Sequence, residues 1–128
     1  MSKRSIVHSG HAPKAIGPYS QAVRVGNTLY LSGQTPLDPA TGELVAGDIS
    51  AQARRVFDNL EAVLAAAGAS FDNVVRVGIY LTDLGDFAAV NEVMKTYFRE
   101  PYPARSTIGV AALPRAAAVE IDMIAAFD

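Results

Sequence analysis

The chain has no cysteine, and that one absence excludes disulfides, thiolate nucleophiles, iron–sulfur clusters and thiolate metal sites together. It fits a reducing cytosol. Charge is sparse as well, with 19% charged residues and a net charge of −2 at pH 7. Lysine and arginine are scattered rather than gathered into a stripe, so no nucleic-acid partner is expected. No apolar run approaches the ~20 residues of a membrane span, and the start Met1-Ser2-Lys3-Arg4-Ser5-Ile6-Val7 is positively charged without the apolar core of a signal peptide. These features predict a cytoplasmic protein with no membrane partner.

At 128 residues, half of them hydrophobic, the chain is long enough for one domain, residues 1–128, with a sizeable core and a rather apolar surface or a large interface. Residues 5–7 read as a short edge strand, followed by a Gly/Pro-containing loop. His8 and His11 in that loop have no carboxylate nearby and read as solvated side chains, so no metal site is expected. Tyr19–Val25 and Thr28–Ser32 alternate around Gly26-Asn27, which predicts a tight hairpin, and residues 36–42 are dense in turn formers.

The strongest periodic signal runs from Ile49 to Ala67, where Ile49, Ala53, Val56, Leu60, Val63 and Leu64 recur at helical steps between a capping Asp48 and Gly68. Gln52, Arg55, Asn59 and Glu61 are assigned to its wet face. Val74–Leu81 reads as a strand with Val75, Val77, Ile79 and Leu81 inward. A second helix from about Asp86 to Phe98 buries Phe87, Val90 and Met94 and places Asn91 on or beside its apolar stripe. The fold class is α+β, a mixed sheet with both helices on one face. Two helices leave the other sheet face uncovered although it still carries apolar residues, which predicts association sheet against sheet.

Two final strands carry the candidate chemistry. Pro103–Val110 holds Arg105 on its less apolar face, and Val119-Glu120-Ile121 turns Glu120 away from the apolar side. A guanidinium holds a carboxylate by two parallel hydrogen bonds, and a glutamate in a partly dry cleft exchanges protons with water. On spacing alone, a cross-strand salt bridge is the simpler reading of this pair. In a plain hairpin turning near Pro114, the two side chains would stand on the order of 13 Å apart along the sheet. Either another strand intervenes and shifts them, or Arg105 of one subunit meets Glu120 of its neighbour; the second is the expectation.

In Gly17-Pro18-Tyr19-Ser20-Gln21-Ala22, Ser32-Gly33-Gln34, Asn59-Leu60, Asn91, Tyr102-Pro103-Ala104-Arg105-Ser106 and Leu113-Pro114-Arg115 before Val119-Glu120-Ile121, the chain resembles the RidA (YjgF) family of reactive-intermediate deaminases. The resemblance covers essentially the whole length. It implies a homotrimer of chorismate-mutase-like fold around a central β-barrel, with clefts between subunits for small 2-oxo or 2-imino acids. It implies that Arg105 binds the substrate carboxylate, that Glu120 positions or activates water, and that Tyr19, Ser32, Gly33, Asn91 and Thr107 line the cleft. Many bacterial members have cysteine where this chain has Thr107, so a role there must rest on a hydroxyl or a backbone N–H. The implied activity is that of a 2-iminobutanoate/2-iminopropanoate deaminase, hydrolysing 2-aminoacrylate and similar enamines or imines to 2-oxo acids and ammonia without metal or organic cofactor. A non-catalytic 2-oxo acid binding or regulatory protein using the same cleft is the alternative. A ribonuclease or translation inhibitor is least expected, for want of a basic stripe.

Overall fold

The computed structural model describes residues 3–128. The strongest sequence signal becomes its longest element, helix α1 (Ile49–Ala66), opened by the Asp48 carboxylate accepting from Ala51 N–H at 2.9 Å. It ends at Gly68, whose φ of 77° is the left-handed conformation that stops a helix with least strain. The strands are β1 (Arg4–Val7), β2 (Ala22–Val25), β3 (Thr28–Gln34), β4 (Val74–Leu81), β5 (Ala104–Gly109) and β6 (Val119–Ala126), and α2 (Phe87–Tyr97) lies between β4 and β5.

The sheet runs in the order β1-β2-β3-β6-β4-β5. It is mixed: β4 and β5 are parallel and the other neighbours antiparallel. The helix between β3 and β4 therefore does not join adjacent parallel strands, because β6 inserts between them. The insertion pairs β6 on both edges, and its buried residues Val119, Ile121, Met123 and Ala125 alternate along the strand. They meet Leu29, Leu31, Val77, Ile79 and Leu81 under α1 and α2 to form the core. An aromatic cluster locks the two helices together: Phe57 of α1 stacks on Tyr97 of α2 with ring centroids 5.0 Å apart, edged by Phe71 and Phe98.

Four expectations are corrected. The strand expected from Tyr19 starts only at Ala22. Gln21 instead turns inward, accepting from Ser9 N–H at 2.6 Å and donating to Pro13 O at 2.9 Å, so its side chain rather than a sheet ladder holds residues 19–21 to the N-terminal loop. In β4, Val74 is buried and Val75 is exposed, the reverse of the alternation read from sequence. A bulge between Val74 and Arg76 opposite β6 adds one residue and flips the parity. Phe87, expected inside, is 40% exposed at the first turn of α2.

Asn59, assigned to the wet side of α1, is fully buried. The segment after β3 crosses that flank of the helix, and Asn59 Nδ2 donates to Leu37 O at 2.9 Å while its Oδ1 accepts from Arg55 Nε at 3.1 Å. Asn59→Ala is expected to leave the Leu37 carbonyl without its donor and cost roughly 1–3 kcal/mol. Chemical denaturation of the variant beside the parent measures this, and an unchanged midpoint would contradict it.

Register assigns the paired strand residues to faces. Val77, Ile79 and Leu81 face the helices, while Ile6, Val25, Tyr30 and Ile108 share the opposite face. These four are 39–61% exposed, an apolar surface that no element among the described residues covers.

Candidate active site

Arg105 is the second residue of β5, an edge strand in parallel register with β4 through Val77↔Arg105. It therefore lies on the helix side of the sheet, where α2 presents Asn91. Arg105 Nη1 donates to Asn91 Oδ1 at 2.6 Å, and the guanidinium carbon stands 5.2 Å from the centre of the Phe87 ring. Among the described residues no carboxylate lies within salt-bridge distance of it. The fork is thus held along one edge by an amide and a ring while its charge remains unneutralised. Beside it opens a cavity of about 360 Å³ lined by Asn91, Met94, Lys95, Tyr102, Pro103 and Arg105. Two residues further along, Thr107 Oγ1 is buried without a hydrogen-bond partner among the described residues.

Glu120 is built differently. It sits on β6 opposite Tyr80 of β4, on the face away from the helices. A bulge between Leu31 and Gln34 of β3 brings Gly33 beneath it, so close that a Cβ there would run into Glu120 Oε2. Gly33 has no side chain and so leaves room for this carboxylate. Half-burial first, and the nearby Asp122 charge second, push the Glu120 pKa above its ordinary value of 4.5. Ser32, in the same bulge, donates from Oγ to Ser20 O at 2.6 Å and from its N–H to Gln21 O at 3.0 Å, which ties the loop bearing the exposed Tyr19 to this end of β3.

The expected residues therefore fall into two groups. Arg105, Asn91 and Thr107 belong to the edge strand and α2; Tyr19, Ser32, Gly33 and Glu120 belong to the β3–β6 end. Across the sheet, Arg105 is in register with Val77 and Met123, three residues from Glu120 along β6. Three residues and two strand spacings put the two Cα atoms on the order of 14 Å apart. An odd offset also puts the side chains on opposite faces. The salt bridge between them is not formed within the chain. Another strand does intervene, as one of the two options read from sequence required, but it does not bring the pair together.

Gly33→Ala follows from this packing. The added methyl displaces only the tip of a flexible side chain, so melting should change little. Moving the Glu120 carboxylate by about 1 Å should lower about 10²-fold any turnover that relies on it. A variant with normal turnover would show that the carboxylate position is not critical.

Sequence reasoning missed Phe87, Met94, Lys95 and Tyr102 around Arg105. The first three were within reach, since residues four before and three or four after Asn91 share its helix face.

The sequence model of the family described as Endoribonuclease L-PSP matches residues 9–127. The chain belongs to that family, the RidA (YjgF) proteins. Protein DfrA of Myxococcus xanthus is 63% identical over 124 residues, covering 95% of each chain. A 2-iminobutanoate/2-iminopropanoate deaminase of Dermatophagoides farinae is 51% identical over 124 residues, covering 97% of each. The crystal structure of RidA from an Antarctic Psychrobacter is 50% identical and matches with a TM-score of 0.93 over 96% of this chain and 99% of that one. This RidA-family chain thus shares the α+β fold of that structure, with its mixed sheet and two helices. Among the described residues, no helix is long and apolar enough to cross a membrane.

Proposed function

We propose that the protein is a hydrolytic deaminase of small 2-imino acids, working in clefts shared between copies of the chain in a cytoplasmic homotrimer. The observation that carries this reading is the division of the site. One sheet edge offers a guanidinium with no carboxylate partner among the described residues, and the opposite face offers a carboxylate with a raised pKa. Neither half is complete alone, and an exposed apolar sheet face is at hand to join them. Deaminase relatives at 45–51% identity support the chemistry. The greater similarity to DfrA leaves the preferred imine to experiment.

In this reading the Arg105 fork holds the substrate carboxylate, with Asn91 fixing its orientation, and Tyr19, Ser32, Gly33 and Thr107 shape the cleft. An enamine such as 2-aminoacrylate first tautomerises to the 2-imino acid. Water then adds to the C=N carbon as the Glu120 carboxylate takes its proton, and the same proton passes to nitrogen. The C–N bond of the carbinolamine breaks, ammonia leaves with the hydroxyl proton, and a 2-oxo acid remains. Every atom comes from imine and water, so the reaction calls for no metal or organic cofactor.

The test generates 2-aminoacrylate in situ with a serine dehydratase and follows pyruvate. Release faster than the spontaneous rate, in proportion to added protein, is expected. Binding of a 2-oxo acid with no acceleration would replace the enzyme by a 2-oxo acid binding protein. Cleavage of RNA with no effect on the imine would replace both.

A further inference from the structure

Glu120 is not the only acid on its face. Asp122 lies two residues along β6, so the two carboxylates project from the same side with roots roughly 6–7 Å apart. Each meets a glycine, on opposite flanks of the strand. Glu120 lies over Gly33 of β3, whereas Asp122 lies over Gly78 of β4, where a Cβ would run into Asp122 Oδ1. Two missing side chains thus splay the acids apart.

Their partners differ as well. The Tyr80 hydroxyl, reaching diagonally from the position opposite Glu120, donates to Asp122 Oδ2 at 3.0 Å. Glu120 receives no side-chain hydrogen bond from the described residues. On the surrounding strands, β3 and β6 carry no lysine, arginine or histidine. The cation nearest on β4 is Arg76, which sits beside Gly78 at the Asp122 end and donates to Ser106 Oγ at 3.2 Å. Among the described residues Glu120 is therefore flanked by one carboxylate, one phenol and no cation of its own. Where two nearby carboxyl groups have unlike surroundings, the proton settles on the one with fewer donors and less water.

We propose that Asp122, tethered over Gly78 by the Tyr80 hydroxyl, is a positioning residue whose charge keeps the exchangeable proton of the pair on Glu120. Burial already favours the protonated form of Glu120, and the Asp122 charge adds to it. Asp122 acts through Glu120. The inference rests on the deaminase reading for its purpose, but the proton distribution is tested separately.

The experiment follows the carboxyl carbon of Glu120 by NMR through a pH titration of the intact, 13C-glutamate-labelled protein, the resonance being the one that Glu120→Gln removes. Asp122→Asn keeps the shape and still accepts from Tyr80, and it should lower the Glu120 midpoint. Asp122→Ser provides the same arm should the amide variant fold poorly, and Tyr80→Phe should give a smaller fall, because the carboxylate remains but is no longer pinned. In the coupled assay, the pH limb that Glu120→Gln abolishes should move to lower pH in Asp122→Asn along with the titration. An unchanged Glu120 midpoint in both Asp122 variants would overturn the proposal, as would a loss of turnover with the limb in place. If the protein deaminates nothing, the titration still decides the point.

Discussion

Arg105→Ala is expected to remove 2-imino acid turnover while the fold and the oligomeric state stay those of the parent. The guanidinium is exposed on an edge strand, and its side-chain contacts are with Asn91, Met94 and Phe87. Deleting it therefore removes little that holds the sheet together. For a substrate of a few atoms it removes the main anchor. In the proposed cleft, closed over by a second chain, the pair is desolvated, and truncating one partner of such a pair costs roughly 2–5 kcal/mol, between about 30-fold and several thousand-fold in kcat/KM. Arg105→Lys should fall nearly as far, because an ammonium cannot span two carboxylate oxygens while also meeting the Asn91 amide. The coupled pyruvate assay and analytical ultracentrifugation of both variants check this. Full activity in the lysine variant would leave Arg105 without its anchoring role.

Glu120→Gln should have the second-largest effect, and in two measurements of opposite sign. Turnover should drop by roughly 10²-fold or more, since the amide keeps the shape but cannot exchange the proton. Stability should move the other way. The folded chain raises the Glu120 pKa, so it binds that proton more tightly than the unfolded chain does. Its stability therefore falls as pH rises from the ordinary value of 4.5 through the folded value, and the deficit is complete above that window. The glutamine variant carries no such deficit. It should melt higher than the parent at neutral pH, with the difference closing as the pH is lowered past 4.5. A variant with unchanged turnover would return Glu120 to a structural role, and one that melts lower at neutral pH would show the carboxylate to be favourably placed.

Local order was legible in the sequence wherever a single element decided it. The capped periodicity of α1, the Gly26-Asn27 hairpin and the start of β5 after Pro103 all rest on neighbours in sequence. What was not legible came from distant pairing. Nothing local announces that β6 enters between β3 and β4, yet that insertion sets the parity that puts Arg105 and Glu120 on opposite faces. The bulge at Val75 has no distinctive sequence signal, and Gly33 is the single local mark of the other. One reverses Val74 and Val75, and the other slides Gly33 under Glu120. Asn59 misled for a related reason: a polar residue on a helix looks solvated until a loop carbonyl from more than twenty positions earlier needs its amide. The residues of the site could be named from sequence, but their division into two half-sites depends on strand order.

That division gives the central claim its most direct test. Arg105→Ala and Glu120→Gln, each severely impaired alone, are unfolded and refolded together, and mixed oligomers are isolated by two different affinity tags. If clefts combine Arg105 of one chain with Glu120 of another, some clefts in every mixed oligomer receive both intact residues, and pyruvate release should recover to a fraction of the parent's. Mixed oligomers that remain as inactive as the two variants alone would mean that each chain supplies both residues to its own site, contrary to the opposite-face geometry described above.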